Sequence, residues 1–123
     1  MDVRVKTFIR EAANRMGFLH AEFGFAGAAV VPDEAGVYPL LRRVRFERAD
    51  VAIEISLVLS YMGEEYVASD LVAADSSGSV RRTKIRQDTA HTGYQMRRAL
   101  GLQAKAIREA LAGYAPPVRA ESC

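Results

Sequence analysis

The sequence predicts an α+β domain, in which an antiparallel sheet of three to five strands carries N-terminal and C-terminal helices packed on one face. Three observations support this fold class. Apolar residues recur at helical spacing near the amino end. The middle of the chain alternates apolar and polar residues with period two, most clearly over residues 51–59. A second helical pattern follows and runs to about residue 112. Two strands close in sequence and alternating in this way are expected to pair antiparallel, with one face covered.

The first element is an amphipathic helix, followed by a short strand. Gly17 lowers helix propensity by about 1 kcal/mol relative to alanine, so the helix ends there or continues weakly through residues 18–23. Residues 25–31 fit a first strand, and the turn-forming residues 32–36 end it. The apolar stripe of the helix consists of Val5, Phe8, Ile9, Ala12, Ala13, Met16 and Leu19.

The central strands carry the clearest pattern. From Leu41, Val44 and Phe46 alternate with charged residues, which is typical of a half-buried strand. Residues 51–59 place five aliphatic side chains on one face. Residues 62–64 suit a hairpin connection to a returning strand over residues 66–73.

The last part of the chain is less regular. Residues 75–79 form a connector by composition, and the basic residues 80–87 fit either a short strand or a loop. Asp88 or Thr89 is expected to cap a second helix, which Gly113 ends. Its predicted apolar stripe consists of Ala90, Tyr94, Met96, Leu100, Ala104, Ile107 and Leu111.

Length and composition fit one ordinary globular domain. The chain has 123 residues, of which 50% are hydrophobic and 26% charged. We expect a single domain over residues 1–115 and a flexible tail over residues 116–123. The residues after Met1 lack the apolar run of a secretory signal, and no window approaches the roughly 18 consecutive apolar residues of a membrane-spanning helix. We therefore expect a cytoplasmic protein without a membrane partner.

Charge is segregated along the sequence, although the net formal charge is only +2. Residues 50–75, the acidic stretch, carry six acidic side chains and no Lys or Arg. Residues 81–108, the basic stretch, carry eight basic side chains against one acidic. A smaller basic group precedes the acidic stretch and consists of Arg42, Arg43, Arg45 and Arg48. Such asymmetry indicates either neutralisation within the fold or a charged binding surface.

The favoured function is a small non-catalytic protein-interaction domain that binds a basic partner through an acidic β-hairpin. Complementary charge would steer the encounter, and tyrosine side chains would then be buried against the partner. This interpretation requires the carboxylates of the acidic stretch to remain open to solvent. The predicted partner-binding residues are Glu54, Tyr61, Glu64, Glu65, Tyr66 and Asp70.

Two alternatives remain open. The first is a nucleic-acid-binding module, whose cations would neutralise phosphates. Its predicted contact residues are Arg81, Arg82, Lys84, Arg86, Arg97 and Arg98. The second is a small enzyme or ligand-binding domain, which requires an apolar pocket between helices and sheet with His20 or His91 reaching into it. An exposed strand edge would in addition allow a homodimer.

Motifs of catalysis and cofactor binding are absent from the sequence. His20 and His91 are isolated from any repeated ligand pattern, and we expect structural or surface roles for both. The only cysteine is Cys123, so the chain has no internal disulfide and too few thiols for a cysteine-based zinc site. No Walker sequence, dinucleotide fingerprint or nucleophile elbow occurs. We therefore expect no catalytic residues, no metal and no cofactor.

Part of the chain resembles several small uncharacterised bacterial α+β proteins. The resemblance lies in the segment Phe18-Leu19-His20-Ala21-Glu22-Phe23-Gly24-Phe25 after an amphipathic helix, and in the strands over 43–46 and 51–59 that follow it. It covers residues 5–72. Some of those proteins are similar to immunity proteins of toxin systems, which act by binding and blocking a toxin. The resemblance thus implies an α+β fold and a protein partner, and it assigns no role to a particular residue.

Overall fold

The structure is a computed structural model and describes residues 3–31, 40–59, 65–74 and 77–114. Two helices come first, then five strands, then a long third helix. Their bounds are α1 Val3–Arg15, α2 Phe18–Phe23, β1 Ala26–Val31, β2 Leu40–Glu47, β3 Val51–Leu59, β4 Glu65–Ala74, β5 Val80–Thr89 and α3 Gly93–Ala112. The predicted tail over residues 116–123 lies outside the described residues.

The five strands form one sheet in the order β1-β2-β3-β4-β5, and every neighbouring pair is antiparallel. Each strand therefore pairs with the next in sequence, as short connections favour. The predicted fold class is confirmed, with five strands and with α1 and α3 packed against the sheet. We call the side that carries these helices the inner face and the opposite side the outer face. Within the described residues, no helix combines the length and apolar composition needed to cross a membrane.

The core lies between the inner face and the two long helices. Alternate residues of β3 supply Ile53, Ile55 and Leu57, each at most 1% exposed. Burying an aliphatic side chain of this size contributes about 1.5–3 kcal/mol relative to leaving it in water. The largest fully buried side chains are Phe8, Met16, Leu19, Phe25, Phe46, Ile53, Ile55, Leu57, Leu59, Met96, Leu100 and Ile107.

The first helical segment is interrupted where glycine was expected to interrupt it. Helix α1 ends at Arg15, and α2 begins at Phe18 after a turn at residues 16 and 17. Gly24 then ends α2 with a φ of 74°, a left-handed conformation that glycine adopts without a steric cost. Its backbone N–H donates to the carbonyl of Leu19, which satisfies one of the last carbonyls of the helix.

The basic residues after the connector form a full edge strand, and this moves the start of α3. Because β5 runs to Thr89, neither Asp88 nor Thr89 caps the helix, and that prediction is wrong. Thr92 caps it instead, since its extended backbone lets Oγ1 accept from the N–H of Gln95 at 3.1 Å. Tyr94, predicted on the apolar stripe, is 74% exposed.

One buried polar side chain fixes α3 over β4 and β5. Gln103 is fully buried, and its Nε2 donates to the carbonyl of Val67 at 3.2 Å and to Oδ2 of Asp88 at 2.8 Å. Its Oε1 accepts from the hydroxyl of Ser69. Each hydrogen-bonding group of the amide thus has a partner on the sheet, as burial requires.

Candidate binding surface on the outer face of the sheet

The outer face carries a row of charged side chains across four strands. The strand register aligns Arg45 of β2 with Glu54 of β3, Glu54 with Asp70 of β4, and Asp70 with Lys84 of β5. Since side chains alternate along a strand, these residues lie opposite the core-facing Ile53 and Ile55. The acidic pair thus lies in the middle of the sheet, between basic residues from the strands on either side.

Glu54 is the centre of this row and is only 3% exposed. One carboxylate oxygen accepts a hydrogen bond from Nη1 of Arg45. The other accepts from Nη1 of Arg82 at 2.5 Å, and Nε of Arg43 lies 3.6 Å from it. We call Glu54, Arg43, Arg45, Arg82 and Asp70 the outer cluster, because Arg82 also donates to Oδ2 of Asp70 at 3.2 Å.

The outer cluster keeps Glu54 ionised. Burial alone would raise the pKa of this carboxyl. Hydrogen bonds from Arg82 and Arg45, together with the charges of Arg82 and Arg43, outweigh the burial and hold the pKa below its ordinary value. The buried carboxylate is therefore an internal counterion that orients the guanidinium groups around it.

Small residues form the floor of the outer face around the cluster. Ala52, Ser56, Ala68 and Val72 are each at most 8% exposed, although they lie on the side of the strands that faces away from the core. Arg43 of β2 contacts one of them, Ser56, and the stem of an arginine in such a position can cover apolar surface. Hence both faces of β3 are buried, although its sequence alternates.

A shallow groove runs beside the cluster. We call it the outer groove; its volume is about 320 Å³ and its lining includes Arg43, Ser56, Val58, Tyr66, Ala68, Asp70 and Lys84. Arg43 donates from Nε to the hydroxyl of Ser56 at 3.2 Å, which fixes its head group over the floor. Lys84 donates to Oε1 of Gln87 at 2.9 Å and forms no ion pair within the described part of the chain. The groove thus has a cation on each side.

The structure does not leave the predicted acidic residues open as a group. Glu54 is buried and bound by arginines, and Asp70 shares Arg82 with it, so the expectation of a solvent-open carboxylate surface is wrong for this pair. Glu65 is half-buried, with Oε1 at 3.4 Å from Nδ1 of His91. Tyr66 lies half-buried in the outer groove.

Two predicted partner-binding residues, Tyr61 and Glu64, lie outside the described residues. The hairpin tip that the sequence singled out is therefore not part of the surface described here. Of the six residues predicted to bind a partner, Tyr66 and Asp70 both line the outer groove, while Glu54 lies under the arginines beside it.

The predicted nucleic-acid residues do not form one surface. Arg82 and Lys84 lie on the outer face, while the register places Arg81 on the opposite side of β5. Arg86 is held by both oxygens of Asp88. Arg97 contacts Glu11 of α1 at 3.4 Å. Arg98 lines a separate hollow between β5 and α3.

The two histidines lie apart from the outer groove. Nδ1 of His20 is 3.0 Å from the carbonyl oxygen of Phe25, just after α2, and His91 precedes α3. Both side chains are exposed. Within the described ranges, no three His, Cys, Asp or Glu side chains lie close enough together to hold a metal ion.

The contacts of β2 with Glu54 were not predicted from the sequence. Arg43 and Arg45 were predicted to belong to a small basic group and to alternate with apolar residues, but not to bind Glu54, whose carboxylate they contact from β2. The available signal was their shared alternation with Val44 and Phe46, which puts both arginines on the face away from the core. The register that brings them to Glu54 could not be read from composition.

Comparison of the chain with protein-family models, with curated proteins and with solved structures finds no match. The resemblance to small bacterial proteins and to immunity proteins therefore stays a prediction. The interpretation of the outer groove depends on its own geometry and charge.

Proposed function

We propose that this protein is a non-catalytic protein-interaction domain, and that its outer groove receives acidic side chains of the partner. The observation that supports the proposal is the burial of Glu54 beneath the arginines of β2 and β5. These contacts place guanidinium groups in fixed positions on a face of the sheet that the core does not use. Arg43 and Lys84 then flank a groove whose floor is made of small residues.

Stability alone is a weak reason for such a cluster. Replacing a buried ion network by well-packed apolar residues is often neutral or stabilising, because the charges must be desolvated. The outer cluster does achieve a fixed orientation of planar guanidinium groups, which suits the recognition of carboxylates. A rigid arrangement also lowers the conformational entropy that binding would otherwise cost.

The groove has the features of a small polar anchor site. A partner carboxylate would lie between the head groups of Arg43 and Lys84, where charge-assisted hydrogen bonds are stronger than neutral ones. The hydroxyl of Ser56 lies on the floor, and Tyr66 forms part of the wall. Tyrosine is favoured at such positions because its ring buries area while its hydroxyl stays polar.

This proposal keeps the interaction class expected from the sequence and reverses the charge of the partner. Glu54 of β3 and Asp70 of β4 are bound by Arg82 of the same fold, so a basic partner would have to displace Arg82 from two carboxylates. An acidic partner would not have to displace an ion pair at Lys84, because Lys84 forms none within the described part of the chain. Some of the small bacterial proteins that the chain resembles are similar to immunity proteins, and binding and blocking a toxin is one form such an interaction would take.

Site-specific crosslinking tests the proposal. Tyr66→benzoylphenylalanine places a photoreactive group in the outer groove, and Tyr94→benzoylphenylalanine places the same group on the exposed side of α3. After irradiation in a lysate of the source cells, we expect position 66 to crosslink to an acidic segment of one protein, identified by mass spectrometry of the joined peptide. Position 94 should not yield that peptide.

A charge-reversal pair provides the matched control. Lys84→Glu in the position-66 variant should abolish the crosslink, whereas Lys105→Glu, which reverses an exposed cation on α3, should leave it unchanged. A crosslinked segment that is basic, or equal losses in both reversals, would contradict the proposal. Crosslinking to nucleic acid with a steep dependence on salt would instead favour the alternative function.

A further inference from the structure

The free edge of β5 ends the sheet. β5 pairs with β4 on one side, and among the described residues no strand pairs with its other side. The backbone N–H and C=O groups that point away from β4 can therefore pair with a further extended chain. Eight of the ten residues of β5 are exposed, so such a chain can approach it along most of its length.

The pairing of β5 is regular over residues 80–84, which we call the regular edge. Each of these residues lies opposite one residue of β4, and all five are exposed. Beyond Lys84 the register shifts, because Ser69 lies opposite Arg86 and one residue of β5 has no opposite neighbour. An added strand can thus continue the ladder across five residues before the irregularity.

Two cations of the regular edge, Arg81 and Lys84, form no ion pair within the described part of the chain. They lie three residues apart, so Arg81 faces the inner side of the sheet and Lys84 the outer side. Arg82, between them, already binds Glu54 and Asp70. Positive charge without an acidic partner therefore lies on both sides of one exposed backbone.

The charge of β5 favours an acidic peptide over other occupants of the edge. The strand carries four cations and one acidic residue, so a second copy of the chain paired edge to edge would bring together two strands of net charge +3. A phosphate backbone offers acceptors only, whereas a strand edge exposes both donors and acceptors. A peptide backbone supplies both, and its side chains alternate between the two sides on which Arg81 and Lys84 lie.

We propose that the acidic partner binds as a sixth strand, antiparallel to the regular edge, as every other pair in this sheet is antiparallel. One acidic residue of the partner faces Lys84, and another, three positions later, faces Arg81. The residue after that lies opposite Val80, whose side chain is 74% exposed and would be covered by an apolar neighbour. The partner segment therefore reads acidic, any, any, acidic, apolar. The inference rests on the proposed function for its acidic partner, because Lys84 belongs to the outer groove as well as to this edge.

Three synthetic heptapeptides, blocked at both ends, test this pattern on the full chain. The first, Thr-Glu-Thr-Thr-Glu-Val-Thr, carries the pattern. The second, Thr-Glu-Thr-Glu-Thr-Val-Thr, has the same composition but both acids on one side, and the third has Gln in place of both acids of the first. In ¹H–¹⁵N NMR titrations we expect the first to bind about threefold more tightly than the second and the third to bind most weakly, with shifts centred on residues 80–84. Equal affinities of the first two, or shifts centred elsewhere, would overturn the proposal.

Backbone N-methylation separates an added strand from a purely electrostatic contact. In an added strand, alternate N–H groups point towards β5 and the others towards water. One derivative of the first peptide is methylated at its third and fifth amides, and another at its fourth and sixth. We expect one derivative to lose binding and the other to keep it within about twofold. Equal effects of the two derivatives would contradict a sixth strand.

Variants of the protein locate the two acidic contacts. Arg81→Gln should weaken the first peptide about threefold and leave the second unchanged, whereas Lys84→Gln should weaken both. Lys105→Gln, at an exposed position on α3, should leave all affinities unchanged. If Arg81→Gln and Lys105→Gln have the same effect on the first peptide, Arg81 does not contact the added strand.

The outcomes distinguish this inference from the function on which it rests. A position-66 crosslink to an acidic segment, together with equal effects of the two methylated peptides, overturns the sixth strand alone. The reverse result overturns the outer groove and leaves the edge contact. A thymidine oligonucleotide that binds the same amides more tightly than the first peptide would also overturn the sixth strand, as would a dimer of the free chain that the peptide does not dissociate.

Discussion

Arg82 of β5 reaches across β4 to bind Glu54 of β3, 28 residues away in sequence and two strands away in the sheet. On the way its Nη1 also contacts Asp70 of the intervening strand at 3.2 Å. Because Arg45 approaches Glu54 from β2, one buried carboxylate joins side chains from both directions across the sheet. The outer face is thus held by a connected network rather than by independent surface pairs, which individually contribute little.

Removing the central carboxylate should destabilise the fold far more than removing an exposed one. Glu54→Gln leaves Arg45 and Arg82 without their counterion, and we expect a loss of about 3 kcal/mol, as for other buried pairs with one partner removed. Glu22→Gln breaks the exposed contact with Arg108 and should cost less than about 1 kcal/mol. Urea denaturation of both variants measures the difference. Equal losses of unfolding free energy in Glu54→Gln and Glu22→Gln would show that the ion pairs of the outer cluster stabilise the fold no more than an exposed pair does.

The stability of the protein should fall in acid partly through Glu54. Its folded-state pKa lies below the ordinary carboxyl value, so its contribution is fully present above that ordinary value. The contribution is lost as the pH falls from there through the lower pKa of the folded state. Urea midpoints measured from neutral to acidic pH should therefore decrease, and the decrease should be smaller in Glu54→Gln. An unchanged pH profile in that variant would contradict the assignment.

The buried amide on α3 gives a third prediction. Gln103→Leu removes the hydrogen bonds to Val67, Ser69 and Asp88 and leaves the buried hydroxyl of Ser69 without its partner, so we expect a loss of about 2 kcal/mol. Adding Ser69→Ala to this variant removes the unpartnered hydroxyl and should recover part of the lost unfolding free energy. Thermal unfolding of the single and double variants measures the coupling. Additive losses would show that Ser69 and Gln103 act separately.

Two glycines with positive φ provide a matched test of close packing. At Gly27 a Cβ atom would lie 2.8 Å from the carbonyl oxygen of Arg45, whereas at Gly78 nothing lies within 4 Å. Gly78→Ala should cost about 1–2 kcal/mol from backbone strain alone. Gly27→Ala should cost more, because β1 must also move away from β2. Similar melting temperatures for the two variants would contradict this difference.

The central strand could be predicted from the sequence, and β3 spans the predicted residues 51–59. The apolar alternation there is strong because one face packs on the core. β5 was ambiguous because the residues on both of its sides are mostly polar and exposed, as expected for an edge strand. Without a hydrophobic period, nothing in the sequence separates such a strand from a loop, and the wrong cap for α3 followed from that.

The charge pattern predicted a solvent-open carboxylate surface, and this was wrong for Glu54 and Asp70 for a different reason. The acidic stretch and the basic stretch are separate in sequence, but an antiparallel meander places β3 and β4 between the basic strands β2 and β5. Segregation along the chain therefore becomes neutralisation across the sheet, as the intramolecular interpretation of the sequence allowed. Which arginine reaches which carboxylate depends on the register, and for Asp70 also on the irregularity of β4 pairing after Ser69. Local composition does not contain that information.

The proposal for the outer groove depends on Glu54 being an ionised internal counterion, and carbon NMR tests this most directly. The side-chain carboxyl carbon of Glu54, assigned by its absence in Glu54→Gln, is followed through an acid titration of the folded protein. We predict a midpoint below the ordinary range of glutamate, together with a higher midpoint when Arg82→Gln removes one donor. A midpoint at or above the ordinary range, unmoved by that substitution, would mean that the arginines do not hold this carboxylate.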